Sequence, residues 1–108
     1  RGRKLLPVER AVQLITQAPA SLFGLRERGE LREGWAADVT VFDPTRVGAG
    51  PVERAEDLPG HSWRLIARST GVKRVLVNGQ PIVVDGESTG RVPGTLLRSG
   101  RDTRTVLP

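Results

Sequence analysis

The chain has 108 residues, enough for one domain with a modest core; 37% apolar and 27% charged side chains are ordinary for a soluble protein, if somewhat apolar-poor. It has no cysteine, which excludes a disulfide framework and a thiolate metal site, and no apolar run long enough to cross a bilayer. The net charge of +5 comes from 15 Arg and 2 Lys mixed with Asp and Glu along the chain, so we expect a solvated surface, no nucleic-acid partner and no membrane partner.

Residues 1–4 read as a basic, frayed start. The first residue is Arg1 rather than Met, which suggests processing or a piece of a longer polypeptide. Pro7 suits the first turn of a helix, where its missing N–H is no loss. Val8, Ala11, Val12 and Ile15 then fall at helical spacing on one apolar face, which Leu14 could widen. Ala18 precedes Pro19 and should leave the α region, so the helix is expected to end near Gln17. Pro19 to Phe23 suggests a further helical turn closed by Gly24.

Arg26-Glu27-Arg28-Gly29 is a polar turn. The stretch from Glu30 to Pro44 organises the rest of the chain. Glu33-Gly34 signals a turn, and Ala36 and Ala37 allow close backbone approach. Val39-Thr40-Val41-Phe42 reads as a short strand, ended by Asp43-Pro44 and covered on both faces. Residues 45–62 carry glycines, prolines and scattered charges and read as a long irregular surface connection. Trp63, Leu65 and Ile66 suggest an edge strand.

Asn78-Gly79 is the clearest turn signal. Both residues tolerate positive φ, as a two-residue type I′ hairpin requires. The expected strands are 73–77 and 80–84, pairing Val77 with Gln80, Leu76 with Pro81 and Val75 with Ile82. From Asp85-Gly86 onward the chain is polar and glycine-rich until Leu96-Leu97. Residues 99–108 read as a weakly ordered tail.

Sites of chemistry are sparse. A zinc site needs three or four clustered His, Cys, Asp or Glu ligands, and this chain has one His and no Cys. His61 beside Ser62 lies in a loop context without an orienting acid. Asp38 reads as an acceptor for N–H groups of the preceding turn, and Asp43 as a strand-ending turn residue. Gly48-Ala49-Gly50-Pro51 lacks the Lys and helix of a phosphate loop. Four separated aromatics make no stacking platform. No catalytic, cofactor-binding or metal-ligating residue is expected.

The run from Glu30 to Pro44 resembles a segment of the amidohydrolase superfamily that comes after the metal-binding barrel. The likeness extends upstream through Arg10 to Thr16 and through Ala18-Pro19-Ala20-Ser21-Leu22-Phe23-Gly24-Leu25, similar to the last barrel helix and its exit. It extends downstream through Gly71-Val72, Val75 to Gly79 and Asp85 to Gly94, most like the N-acyl-D-amino-acid deacylase (D-aminoacylase) branch. It covers roughly Leu6 to Arg98.

The resemblance implies a mainly β chain with an N-terminal helix: 1–29 a terminal barrel-type helix and exit, 30–98 a partial β-sandwich, 99–108 a tail, and no (β/α)₈ barrel, which alone takes ~250 residues. It implies a non-catalytic C-terminal part of a metal-dependent amidohydrolase cleaving an amide C–N bond; a cytoplasmic location is expected from the absence of cysteine, which is compatible with it. Zinc or another divalent metal would sit in the missing barrel, with no cofactor in this segment. The implied partners are that barrel and the parent's N-terminal strands, with self-association through the helix stripe or a sheet edge. The alternatives are a free-standing β-rich interaction module and a basic nucleic-acid-binding module.

Overall fold

A computed structural model describes residues 5–107; the basic start expected to fray lies outside them. Helix α1 spans Val8–Ile15, with Pro7 at its N-cap in extended geometry. Of the expected apolar stripe, Ala11 and Val12 are half-buried, whereas Val8 and Ile15 face solvent. The helix breaks at Thr16 (φ −124°, ψ −82°), and the Thr16 hydroxyl donates back to the Val12 carbonyl at 2.8 Å.

The break precedes the expected one, and Ala18 does not leave the helical region. Helix α2 spans Gln17–Leu22, with Pro19 in its first turn. N–H groups there have no intrahelical partner, so proline is tolerated. Gly24 (φ 64°) ends the helix. Its N–H donates to the Ser21 carbonyl at 3.1 Å, and the Leu25 N–H to the Ala20 carbonyl at 2.8 Å, the paired bonds of a Schellman cap.

A four-stranded antiparallel sheet runs in the order β1 (Val39–Phe42), β4 (Val72–Val77), β5 (Gln80–Val84), β6 (Glu87–Ser88). The hairpin between β4 and β5 is as the sequence predicts, with Asn78 and Gly79 at φ 48° and 76°. Val77 pairs with Gln80 and Leu76 with Pro81, but a bulge sets Val75 opposite Val83 instead of Ile82. A second turn at Asp85-Gly86, both residues at positive φ, adds the two-residue strand β6. Among the described residues, strand β1 is an edge, paired only with β4. The expectation that it is covered on both faces fails: Val39 and Phe42 are half-buried, while Thr40 and Val41 are exposed.

The irregular connection expected at 45–62 is instead half of an antiparallel ribbon. Strand β2 (Gly48–Leu58) pairs with β3 (Ser62–Thr70) and, among the described residues, with no other strand. The punctuating residues are accommodated locally. Pro51 falls at an irregularity of register between Ala49 and Val52. At Gly50 the Arg68 carbonyl would lie 3.1 Å from a Cβ. Pro59–His61 make a tight turn at the tip, with Gly60 (φ 70°) and His61 (φ 57°) in left-handed geometry. Gly71 (φ 72°) returns the chain to the sheet where only glycine fits, since a Cβ would meet the Val47 nitrogen at 2.4 Å.

The tail is also more ordered than expected. Thr103 bridges Leu25, the Arg104 N–H donates to the Gly24 carbonyl at 2.8 Å, and the Arg26 N–H donates to the Asp102 carbonyl at 3.1 Å. Main-chain pairing holds it where composition predicts looseness.

These elements are mainly β behind a helical pair, with no barrel among them. They enclose almost no core: Ala20, 6% exposed, is the one buried apolar side chain among the described residues. Accessible surface is 8953 Å², against about 5,900 Å² for a compact monomer of 11.7 kDa. The radius of gyration is 16.5 Å, where a compact 108-residue domain has about 13 Å.

Candidate functional site

Three segments meet at the Asn78-Gly79 turn. Asp38, just ahead of β1, accepts the Asn78 N–H through Oδ1 at 2.9 Å and pairs through Oδ2 with Arg28. The Gly79 N–H donates to the Ala37 carbonyl at 2.9 Å, and Asn78 Nδ2 donates to the Pro93 carbonyl at 2.8 Å. The small residues Ala36 and Ala37 let the backbone come this close. Asp38 thus serves the hairpin turn, 40 residues downstream, instead of the turn before it. Nothing in the sequence marks Arg28 as its partner, because a pairing between two loops carries no periodic signal.

Asp43 is the turn residue predicted. Its Oδ1 accepts the Thr45 hydroxyl at 2.7 Å and the Thr45 N–H at 2.8 Å. The hydroxyl first, then the N–H, holds the Asp43 carboxyl below the ordinary value of 3.8. Other depressed carboxylates obey the same logic. Asp57 is lowered by its two hydrogen bonds from Arg64, Asp102 by Arg101 and the Arg98 N–H, and Glu30 by Gln17 and then Arg32. Each is a satisfied turn or ion-pair group, Asp57 exposed and Glu30, Asp43 and Asp102 half-buried. None is raised, as burial against a second acid would raise it.

His61 and Ser62 stand exposed at the ribbon tip, His61 at φ 57°. Gly48 to Pro51 lie in β2, so no helix N-terminus comes after them to hold a phosphate. Open clefts among the described residues include two beside the helices. One, of about 500 Å³, lies between the α2 exit and the tail and is lined by Leu22, Phe23, Arg26, Thr103, Arg104 and Val106 among others. The other, about 540 Å³, is formed by Val8, Glu9 and Val12 of α1 against Phe42 and Pro44. Among the described residues, the lining of the first carries arginines and no carboxylate or imidazole, and that of the second carries one carboxylate, Glu9, and no second acid or base. Neither combination makes an acid–base pair or a nucleophile.

Among the described residues no three His, Cys, Asp or Glu side chains gather where they could hold a metal ion. Asp38 and Asp43, the most family-like acids, are committed to Arg28 and Asn78 and to Thr45. The donor set does not fit a catalytic metal.

Residues 1–83 match the model of the amidohydrolase family. The chain belongs to that family, whose members are generally metal-dependent. Within it, the chain is similar to deacylases of D-amino-acid derivatives from Alcaligenes xylosoxydans xylosoxydans. It is 39% identical to an N-acyl-D-aspartate deacylase over 93% of this chain and 18% of the relative. It is 36% identical to a D-aminoacylase over 90% of this chain and 18% of that protein. With an N-acyl-D-glutamate deacylase, identity is 39% over 91% and 18%. The chain therefore spans about a fifth of the length of these relatives. No solved structure matches it.

Proposed function

We propose that this chain is a non-catalytic, C-terminal supporting segment of an amidohydrolase that removes the N-acyl group from a D-amino acid. The catalytic metal, zinc or another divalent ion, belongs to a barrel supplied by the rest of such a protein. The segment's role is to close and stabilise that barrel: its helical pair packs on the barrel's flank, and edge strand β1 pairs with strands from elsewhere in the polypeptide.

The observation that carries this reading is the excess of exposed surface. The described chain exposes 8953 Å², about 3,000 Å² more than a compact monomer of its mass. That excess is the area of a large permanent interface. It is rich in apolar side chains, with Leu14, Ile15, Leu22, Phe23 and Leu31 all exposed. A helix stripe and a strand edge left open are what a segment cut from a larger core presents.

The test is a chimera. This chain is exchanged for the matching segment of the Alcaligenes D-aminoacylase, beside a control enzyme in which that segment is deleted. The expected result is a soluble chimera that hydrolyses N-acetyl-D-amino acids, a deletion control that is insoluble or inactive, and no turnover by this chain alone with added zinc. Turnover by the isolated chain, abolished by His61→Ala, overturns the non-catalytic reading. A fully active deletion control overturns the supporting role.

A further inference from the structure

Asn78 and Gly79 carry a reactivity that their surroundings hold in check. An Asn-Gly pair loses its side-chain amide more readily than other asparagine pairs, because glycine has no Cβ to shield the attacking backbone nitrogen. The step needs no co-reactant but water. The Gly79 nitrogen gives its proton to hydroxide, and its electron pair attacks the Asn78 side-chain carbonyl carbon, closing a five-membered imide. The bond from that carbon to Nδ2 breaks, and the nitrogen takes a proton from water and leaves as ammonia. Water then opens the ring at either carbonyl, leaving aspartate or, with the main chain rerouted through the side chain, isoaspartate.

The reacting groups are tied down. The Gly79 N–H, which must ionise, donates to the Ala37 carbonyl at 2.9 Å, and the Ala37 Cβ stands 3.8 Å from where a Gly79 Cβ would be. The leaving nitrogen, Nδ2, donates to the Pro93 carbonyl at 2.8 Å. The Asn78 N–H donates to Asp38 Oδ1 at 2.9 Å, and Asp38 is itself held by Arg28.

Asp85-Gly86, in the same sheet, supplies the contrast. It is also an exposed turn with both residues at positive φ, and its aspartate can close the same imide by losing water. Yet nothing lies within 4 Å of where a Gly86 Cβ would stand, so no other described segment covers that turn.

We infer that Asn78-Gly79 is a latent self-modification site, slowed by its bonds to Ala37, Asp38 and Pro93, and that its deamidation opens the three-segment junction irreversibly. An aspartate product sets a second carboxylate beside Asp38 and has no N–H for the Pro93 carbonyl. An isoaspartate product lengthens the main chain within a two-residue turn that has no room for it, drawing Gly79 away from Ala37. The chemistry is independent of the supporting role. Every reacting atom and every restraint belongs to this chain, whatever the remaining polypeptide covers.

The experiment uses the protein that carries this chain at its natural length, aged at mildly alkaline pH both folded and in urea. Trypsin cuts after Arg74 and Arg91, so one peptide, 75–91, reports both turns. Mass spectrometry follows deamidation at Asn78, and separation of the isoaspartyl form follows Asp85. Three hydrogen bonds should make Asn78 about a hundredfold slower in the folded protein than in urea, with Asp85 slowed much less. Asp38→Ala should speed Asn78 about fivefold in the folded protein, while Asp38→Asn, which keeps an acceptor oxygen, should leave it slow. Asn78→Asp, which is the aspartate product itself, should let the Gly79 amide exchange its hydrogen faster than in the parent. Equal rates at Asn78 folded and in urea overturn the inference whether or not any variant folds. So do equal slowing of Asn78 and Asp85, a folded Asp38→Ala variant that deamidates at the parent's rate, and a Gly79 amide that stays protected in Asn78→Asp.

Discussion

Asp43 joins local geometry to a measurable pH dependence. Its carboxylate holds the Thr45 hydroxyl and N–H, and its backbone carbonyl accepts the Val47 N–H at 2.8 Å. The carboxyl titrates below its ordinary value of 3.8 because those donors favour the charged form. A depressed folded value means the stabilisation is complete above the unfolded pKa and is lost as pH falls through the folded one. Asp43→Asn keeps one acceptor oxygen but removes the titration. The expected outcome is a variant less stable than the parent at neutral pH, the gap closing below pH 3.8. Denaturant midpoints across that range check it, and a gap unchanged by acid would mean the turn does not depend on the charge. Asp38 shows the complementary case: its acidity was legible in the sequence, but its work was not, because both of its partners lie in other loops.

At the scale of elements, local chemistry was legible and tertiary pairing was not. The helix end at Gly24, the Asn78-Gly79 hairpin and the strand at Val39–Phe42 each arise from a residue or two with strong backbone preferences. The edge strand expected at Trp63, Leu65 and Ile66 lies in β3, but its partner β2 was missed because glycine and proline usually mark loops, whereas here Pro51 coincides with a register irregularity and Gly50 with a close carbonyl. The bulge at Val75 was missed for a different reason: register answers to neighbours on both sides, not to the turn alone. The glycines therefore differ in their tolerance. Gly71 and Gly86 both have positive φ, but a Cβ at Gly71 meets backbone at 2.4 Å, while at Gly86 nothing lies within 4 Å. Gly86→Ala should cost about 1 kcal/mol, the left-handed penalty alone. Gly71→Ala adds a backbone clash and should cost roughly 3 kcal/mol or more, as other severe steric changes do. Equal midpoint shifts for the two would show that the chain relaxes freely at the junction of ribbon and sheet.

For the whole molecule, the open question is where its core lies. With Ala20 as the one buried apolar side chain among those described, unfolding this chain exposes little that is not exposed already. A compact domain of this length has a heat-capacity change on unfolding of about 1.3 to 1.6 kcal/mol/K. The isolated chain should fall well below that, with strong binding of an apolar dye before any heating. A calorimetric value at the compact-domain figure would mean that copies bury each other's surface or that the helices fold back onto the sheet. The main-chain bridge between Leu25 and Thr103 also sets an order of events during synthesis. The helix exit leaves the ribosome long before its partner, and joining the two closes a loop worth about 4 kcal/mol of chain entropy. The Gly24 carbonyl and the Arg26 N–H therefore wait for their partners while the strands between them are made, and residues 102–104 fasten the helix exit only after the sheet and the ribbon are complete.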